Sequence, residues 1–425
     1  MSKIKRVHAR QIIDCKCRPC VEVDIETDDG YIGSGAAPTG SSVGIYESHV
    51  LRDGDPNEYQ GMSVHKAVAN VNDIIAPALM GMDVKDQSGI DNMMIEMDGT
   101  PEKKNLGGNA IYSVSIAAIR AAAASQRIPL YEYIAGRKIK TVPVPSFNIV
   151  NGGKYPDLVQ AFNEFIIMPY GAPDIYKAVE MGVNTFKELE KVLTEKLGHK
   201  PAVASSYGYA AHSDDPEIVL DTISEAIDSC GYTGKIGFAL DCASSEMYDR
   251  ENGTYLLKGK SISAEALTEY FRYLCGKFDF VFIEDPFDED DWDAYAYATP
   301  QLSRTNILGD DLTVSNLERL SKAYDLGAVD GFILKPNQVG TITEAMEAHE
   351  FAVSKGLLSV TSGRSGGVVD DVVMDIATGL EIGFIKNGAP RSGERIEKLN
   401  FLMRACDLTP DCQLADISDI IKFNK

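Results

Sequence analysis

Six short apolar runs in the second half of the chain each end in a polar or charged residue. They are Gly237-Phe-Ala-Leu-Asp241, Phe280-Val-Phe-Ile-Glu284, Asn306-Ile-Leu-Gly-Asp310, Gly331-Phe-Ile-Leu-Lys335, Leu357-Leu-Ser-Val-Thr-Ser362 and Gly383-Phe-Ile-Lys386. Three carboxylates brought together make a site for a hard cation, and two lysines beside them can bind an anion or take a proton. One polar residue at such a place would simply mark where a strand meets solvent. Charge repeated along the series would be self-repulsive without a metal or ligand, so the series reads as a site.

Those residues need a scaffold that brings distant chain positions to one place. A run of four or five apolar residues suits a strand buried on both faces, and the 24 to 43 residues between run ends leave room for a helix each. That rhythm predicts a (β/α)8-type barrel, whose functional groups gather at the C-terminal strand ends. Upstream, Val21, Val23 and Ile25 alternate with Glu22, Asp24 and Glu26, a half-buried strand that turns at Asp28-Asp-Gly30 into another. The Ala-rich stretch from Gly107 to Ala124 follows with helical spacing and small residues suited to close packing. The basic, proline-punctuated segment Ala135–Pro145 reads as a linker. The expectation is therefore an α/β chain with an N-terminal α+β domain over residues 1–138 and the barrel, with the site, over 139–425.

The formal net charge of −22 argues against nucleic acid or an anionic membrane surface as partner, though a local cluster of Lys and Arg can still take a small anion. No apolar stretch follows the basic N-terminus and no 18-residue apolar run occurs, which predicts a cytoplasmic chain without a membrane span. Eight scattered cysteines fit reduced thiols. Cys15, Cys17 and Cys20 are clustered, but no second Cys or His pair nearby completes a tetrahedral metal site.

The run ends lie inside motifs that resemble the enolase family from about residue 3 to about 405. These include Val21-Glu-Val, Arg52-Asp-Gly-Asp55, Asn151-Gly-Gly153, Leu240-Asp-Cys-Ala-Ser-Ser-Glu246, Ile283-Glu-Asp-Pro-Phe287, Asp310-Asp-Leu-Thr-Val314, Arg364-Ser365-Gly366 and Lys386-Asn-Gly-Ala-Pro390. The resemblance implies Mg²⁺-dependent interconversion of 2-phosphoglycerate and phosphoenolpyruvate, a carbon–oxygen lyase reaction of glycolysis. It implies Asp241, Glu284 and Asp310 as Mg²⁺ ligands and Ser42 as the loop serine that meets a second Mg²⁺. It further implies Lys335 as the base and Glu164 as a carboxylate of the leaving-group side. Lys386, Arg364 and Ser365, with Ser362 beside them, would bind the anionic substrate, and the family's habit implies a homodimer or higher assembly. A proton next to a carboxylate is very weakly acidic, and this superfamily removes it with a Lys or His base while one or two Mg²⁺ stabilise the ene-diolate. Lys335 would then need its pKa lowered by neighbouring cations.

The resemblance breaks on one side. Where the family has the Glu of a Gly-Asp-Glu-Gly-Gly loop, Ala204-Ser-Ser-Tyr-Gly208 places Ser206, and Gly363 stands at a family His. Tyr155, Tyr207 and Tyr209 are the candidates for rebuilding that side, as substitute donors or as packing. Three readings follow: an impaired phosphopyruvate hydratase relying on Glu164; a relative acting as lyase or epimerase on another small, phosphorylated hydroxy acid; or a non-catalytic metal-binding relative. In the first two, proton abstraction is retained; loss of the family's acid, which helps the β-hydroxyl leave, typically costs ~10²–10⁴-fold.

Overall fold

The predicted alternation around Val21 becomes the central strand of a three-stranded antiparallel meander. Its strands are β1 (Ile4–Ile13), β2 (Pro19–Thr27) and β3 (Ile32–Ala36), in that order. The computed structural model describes residues 2–40 and 44–424. Val21, Val23 and Ile25 are fully buried under helices on one face of the meander. The Ala-rich stretch forms α1 (Gly108–Ser125), which lies against β2 and β3. The approach is closer than ordinary side chains permit. A Cβ on Gly33 would lie 2.2 Å from Ala121 N and 2.3 Å from Ala117 O, and one on Gly35 2.5 Å from Ser113 O. The other side of α1 packs on the barrel, where Tyr112, Ile116 and Ile119 join one apolar cluster with Phe332, Leu334 and Ile342. One helix thus fixes the small domain to the large one.

The barrel has eight strands: β4 (Val144–Tyr155), β5 (Leu158–Met168), β6 (Gly237–Asp241), β7 (Phe280–Glu284), β8 (Asn306–Gly309), β9 (Gly331–Leu334), β10 (Leu358–Ser362) and β11 (Phe384–Lys386). They pair in that order, and β11 closes back onto β4. All six runs identified in the sequence are barrel strands. The architecture departs from a pure βα alternation in one place: β5 runs antiparallel to both β4 and β6. The reason is local. Only Pro156 and Asp157 separate β4 from β5, and a parallel partner needs a crossover of a dozen residues or more. The missing crossover is made up after β5 by two helices, α2 (Ile175–Leu197) and α3 (Pro216–Ser229). From β6 onward a helix follows each strand: α4 (Ala264–Lys277), α5 (Trp292–Ala298), α6 (Leu317–Asp325), α7 (Ile342–Lys355), α8 (Val373–Gly379) and α9 (Gly393–Leu408). Asp174, Asp215, Ser263, Asp291, Asn316 and Thr341 cap six of these helices by accepting from free backbone N–H groups.

The barrel interior is a packed core. Ile166, Ala239, Phe282, Leu308, Ile333, Val360 and Phe384 fill it, with Phe282 and Phe384 stacked at 5.5 Å between centroids. Ile417, Ile421 and Phe423 of the C-terminal segment join this cluster. Apolar filling leaves the opposite, C-terminal mouth as the polar end. Gly33→Ala should force α1 off the meander and lower stability by roughly 1–3 kcal/mol or more, the usual cost of overpacking. Urea titration measures it, and an unshifted midpoint would contradict so close a helix–sheet contact.

Candidate active site

Strand register decides which side chains meet at the mouth. Glu164 pairs with Asp241 across β5 and β6, and Asp241 pairs with Glu284 across β6 and β7. Three carboxylates from chain positions far apart therefore stand in one row. A second row aligns Ser362 with Lys386 and Lys386 with Ser146. Asp310 and Lys335 each follow the last residue of their strands, β8 and β9. They open onto a cavity of about 290 Å³, also lined by Glu164, Asp241, Ser362, Arg364, Ser365 and Lys386. Glu284 is fully buried behind this lining. Ser42 lies outside the described residues.

Each cation at the mouth already has an anionic partner. Lys386 Nζ contacts Glu284 Oε2, lies 3.0 Å from Asp241 Oδ2 and 3.7 Å from Glu164 Oε2. Lys335 Nζ donates to Asp310 Oδ2. Arg364 forms a two-pronged pair with Glu47, at 2.8 and 3.0 Å. Burial works against the charge of Lys386, yet Asp241, Glu284 and Glu164 hold its pKa well above an ordinary lysine's. Three carboxylates around one ammonium leave an excess of buried negative charge. Burial, with the Asp241 charge, accordingly raises the pKa values of Glu164 and Glu284 despite Lys386. Glu284 Oε1 is buried without a hydrogen-bond partner among the described residues. A charge excess plus an unpartnered carboxylate oxygen suits a hard divalent cation, but Asp241, Glu284 and Asp310 do not all converge within 4.8 Å of one another among the described residues.

The carboxylates of Asp285, Asp310 and Asp311 also approach within 4.8 Å of one another. Asp285 is the weaker ligand of that trio. Its oxygens accept from the N–H groups of Asp310 (2.8 Å) and Asp311 (2.7 Å) and from the Tyr295 hydroxyl (3.0 Å). Burial and the Asp310 charge push its pKa up to about 7. Asp285 thus shapes the turn that presents Asp310.

Lys335 differs from the expectation. Burial lowers its pKa, but Asp310 and Glu284 outweigh burial and the cations Arg364 and Lys386, so the net shift is upward. In this arrangement Lys335 is a proton-loaded ammonium, and base action requires it to leave Asp310.

Several residues of the site gave no distinct signal in sequence. Asn148 on β4 donates to Glu164 Oε1 at 2.5 Å, and Gln338 donates to Asp310 Oδ1 at 2.8 Å. Glu47 reaches Arg364 from the segment that follows the small domain's sheet. Arg395 and Lys398 line the cavity, as does Glu246 from the Leu240–Glu246 motif. An amide inside an apolar strand run, as at Asn148, was the one cue available.

The tyrosines are committed elsewhere. The Tyr155 hydroxyl donates to Asn151 O at 2.7 Å, that of Tyr207 to Cys15 O at 2.8 Å and that of Tyr209 to Glu190 Oε2 at 2.8 Å. Tyr209 also stacks on Phe186 at 4.6 Å, and none of the three is among the residues that line the cavity. Cys15, Cys17 and Cys20 do not form a convergent ligand group among the described residues. The place next to Gly363 is filled by Lys398, whose Nζ would sit 2.3 Å from a Cβ added there.

Lys386→Met should strip the one ammonium that pairs with the three-carboxylate row among the described residues and destabilise the metal-free protein by roughly 3–5 kcal/mol, as for a buried ion pair broken on one side. Urea titration in chelator measures this. Equal stability of variant and native protein would contradict the charge excess.

Residues 4–134 match the family model of the enolase N-terminal domain, and residues 139–416 match that of the enolase C-terminal TIM barrel domain. Together with the barrel, its capping domain and the carboxylate–lysine mouth, these matches place the chain in the enolase family.

Proposed function

We propose that this chain is an Mg²⁺-dependent carbon–oxygen lyase that abstracts a proton α to a carboxylate. Its nominal reaction is conversion of 2-phosphoglycerate to phosphoenolpyruvate and water, with leaving-group expulsion impaired. The observation that carries this reading is the row Glu164–Asp241–Glu284 facing Lys386, with Asp310–Lys335 beside it in one cavity. Asp241, Glu284 and Asp310 would hold Mg²⁺, which when bound supplies positive charge against the ene-diolate. Lys386 and Arg364, with Ser365 and Ser362, would grip substrate oxyanions. Lys335 Nζ takes the α-proton. Its partner in the metal-free arrangement, Asp310, is a metal ligand in the same reading, so cation binding and release of the base compete for one carboxylate. Glu164 is the carboxylate whose raised pKa suits a proton donor. The family resemblance supports a cytoplasmic homodimer or higher assembly, which sedimentation would test.

A second reading, a lyase or epimerase acting on another small hydroxy acid, is favoured by the absence of an ionisable side chain at Ser206 and Gly363. The intact charge constellation weighs against a purely non-catalytic role. Among the described residues no helix is long and apolar enough to cross a membrane.

Calorimetry should give Mg²⁺ binding that Asp241→Asn and Glu284→Gln abolish; unchanged binding in both variants would remove the metal assignment. In D₂O with Mg²⁺, 2-phosphoglycerate should exchange its α-hydrogen faster than it dehydrates, and Lys335→Ala should stop the exchange. Dehydration should fall short of ordinary enolase turnover by about 10²-fold or more. A native kcat typical of glycolytic enzymes would show instead that Glu164 suffices. Exchange that persists without Lys335 would identify another base.

A further inference from the structure

The cavity lining includes a carboxylate that the proton-abstraction scheme leaves unused, Glu246. It belongs to a short helix, Ser244–Met247, that follows β6 and Asp241. Ala243 turns the chain there in the left-handed region, at φ 44° and ψ 47°, a conformation that residues with a side chain rarely adopt. Such a turn persists only where its surroundings hold it. Here the Ser244 N–H donates to Asp285 O at 3.2 Å and its hydroxyl to Pro286 O at 2.9 Å, while the Ser245 hydroxyl accepts from the Glu289 N–H at 2.9 Å. The helix also touches β5, the strand that carries Glu164. Both serines anchor the turn, and Glu246 is left to line the cavity on the Glu164 side.

Glu246 is uncommitted, unlike the carboxylates of the row. Asp241 and Glu284 face Lys386, and Asp310 holds Lys335. Glu164 receives the Asn148 amide at 2.5 Å and has Lys386 at 3.7 Å. Among the described residues Glu246 makes no hydrogen bond or ion pair. Partial burial of its carboxyl, and then the Asp241 charge, raise its pKa against the opposing pull of Lys154. The residue is exposed on its outer side, so solvent can reload a spent carboxylate with a proton.

We propose that Glu246 is a further catalytic residue, the acid that protonates the departing β-hydroxyl, with Glu164 completing a carboxyl pair around the leaving oxygen. The inference rests on the proton-abstraction reading above. Lys335 removes the α-proton, the C–O bond at Cβ breaks with its electron pair going to oxygen, and the electrons left at Cα form the new double bond. The Glu246 proton goes to that oxygen, and water leaves. Glu246 thereby supplies the proton that Ser206 cannot.

Glu246→Gln keeps the shape of the side chain and removes its acid proton. With 2-phosphoglycerate and Mg²⁺ in D₂O, the variant should dehydrate about 10²-fold more slowly than native protein, while Lys335-dependent exchange of the α-hydrogen continues at least as fast. Glu246→Asp should retain part of the dehydration rate. Dehydration by Glu246→Gln at the native rate, or native exchange without measurable dehydration, overturns the assignment and leaves the proton-abstraction reading standing. Exchange and dehydration that fall together in Glu246→Gln also overturn it, since that pattern marks a role in binding or folding. If native protein neither exchanges nor dehydrates 2-phosphoglycerate, the underlying reading and this inference fall together.

Discussion

The mouth of the barrel is organised by an excess of buried negative charge that the chain alone does not neutralise. Register aligns Glu164, Asp241 and Glu284 in one row, and a single ammonium, Lys386, faces all three. Repulsion among carboxylates in a low-dielectric setting is expensive, so each neighbouring lysine is drawn into a contact, and burial raises the pKa values of Glu164 and Glu284. The pairing of Lys335 with Asp310 is part of the same adjustment. A divalent cation would relieve the excess and free the lysines for substrate, which ties metal affinity, lysine protonation and substrate grip to one electrostatic balance.

That balance requires rigid placement of the groups, and close backbone packing supplies it. The contact at Gly33 and Gly35 seats α1 against the meander, while the other face of α1 packs against the barrel cluster containing Phe332 and Leu334. The chain that leaves the meander then delivers Glu47 to Arg364 across the domain boundary. The small domain therefore provides one wall of the site's charge network. Apolar filling of the barrel beneath, closed by Ile417, Ile421 and Phe423, keeps the polar groups at one end.

The two sides of the cavity have diverged in kind. Near the strand ends, carboxylates and lysines are interleaved. Ser206 and Gly363 themselves carry no acid; Lys398, paired with the buried Glu394 and Asp371, occupies the space beside Gly363, and Arg395 holds the Ser206 carbonyl. Tyr207 and Tyr209 support this rearrangement through packing and hydroxyl contacts to Cys15 and Glu190.

Much of this was legible in the sequence because parallel barrel strands announce themselves: an apolar run followed by its functional residue, as at Asp241, Glu284, Asp310, Lys335 and Lys386. Glu164 escapes that pattern because β5 runs the other way, so its carboxylate precedes its apolar run, and only the resemblance pointed to it. The reversal itself was encoded in the two-residue Pro156-Asp157 connection, though not apparent from strand periodicity alone. Asn148, Gln338 and Glu47 are ordinary polar residues in sequence and acquire roles only through what the fold sets beside them. The same holds for protonation. Sequence determined that Lys335 stands at a strand end, whereas its upward pKa shift depends on Asp310 and Glu284, brought near from other strands. Residue type and local period fix which groups are available; distance and burial, which set the strength of charge interactions, exist only in the folded chain.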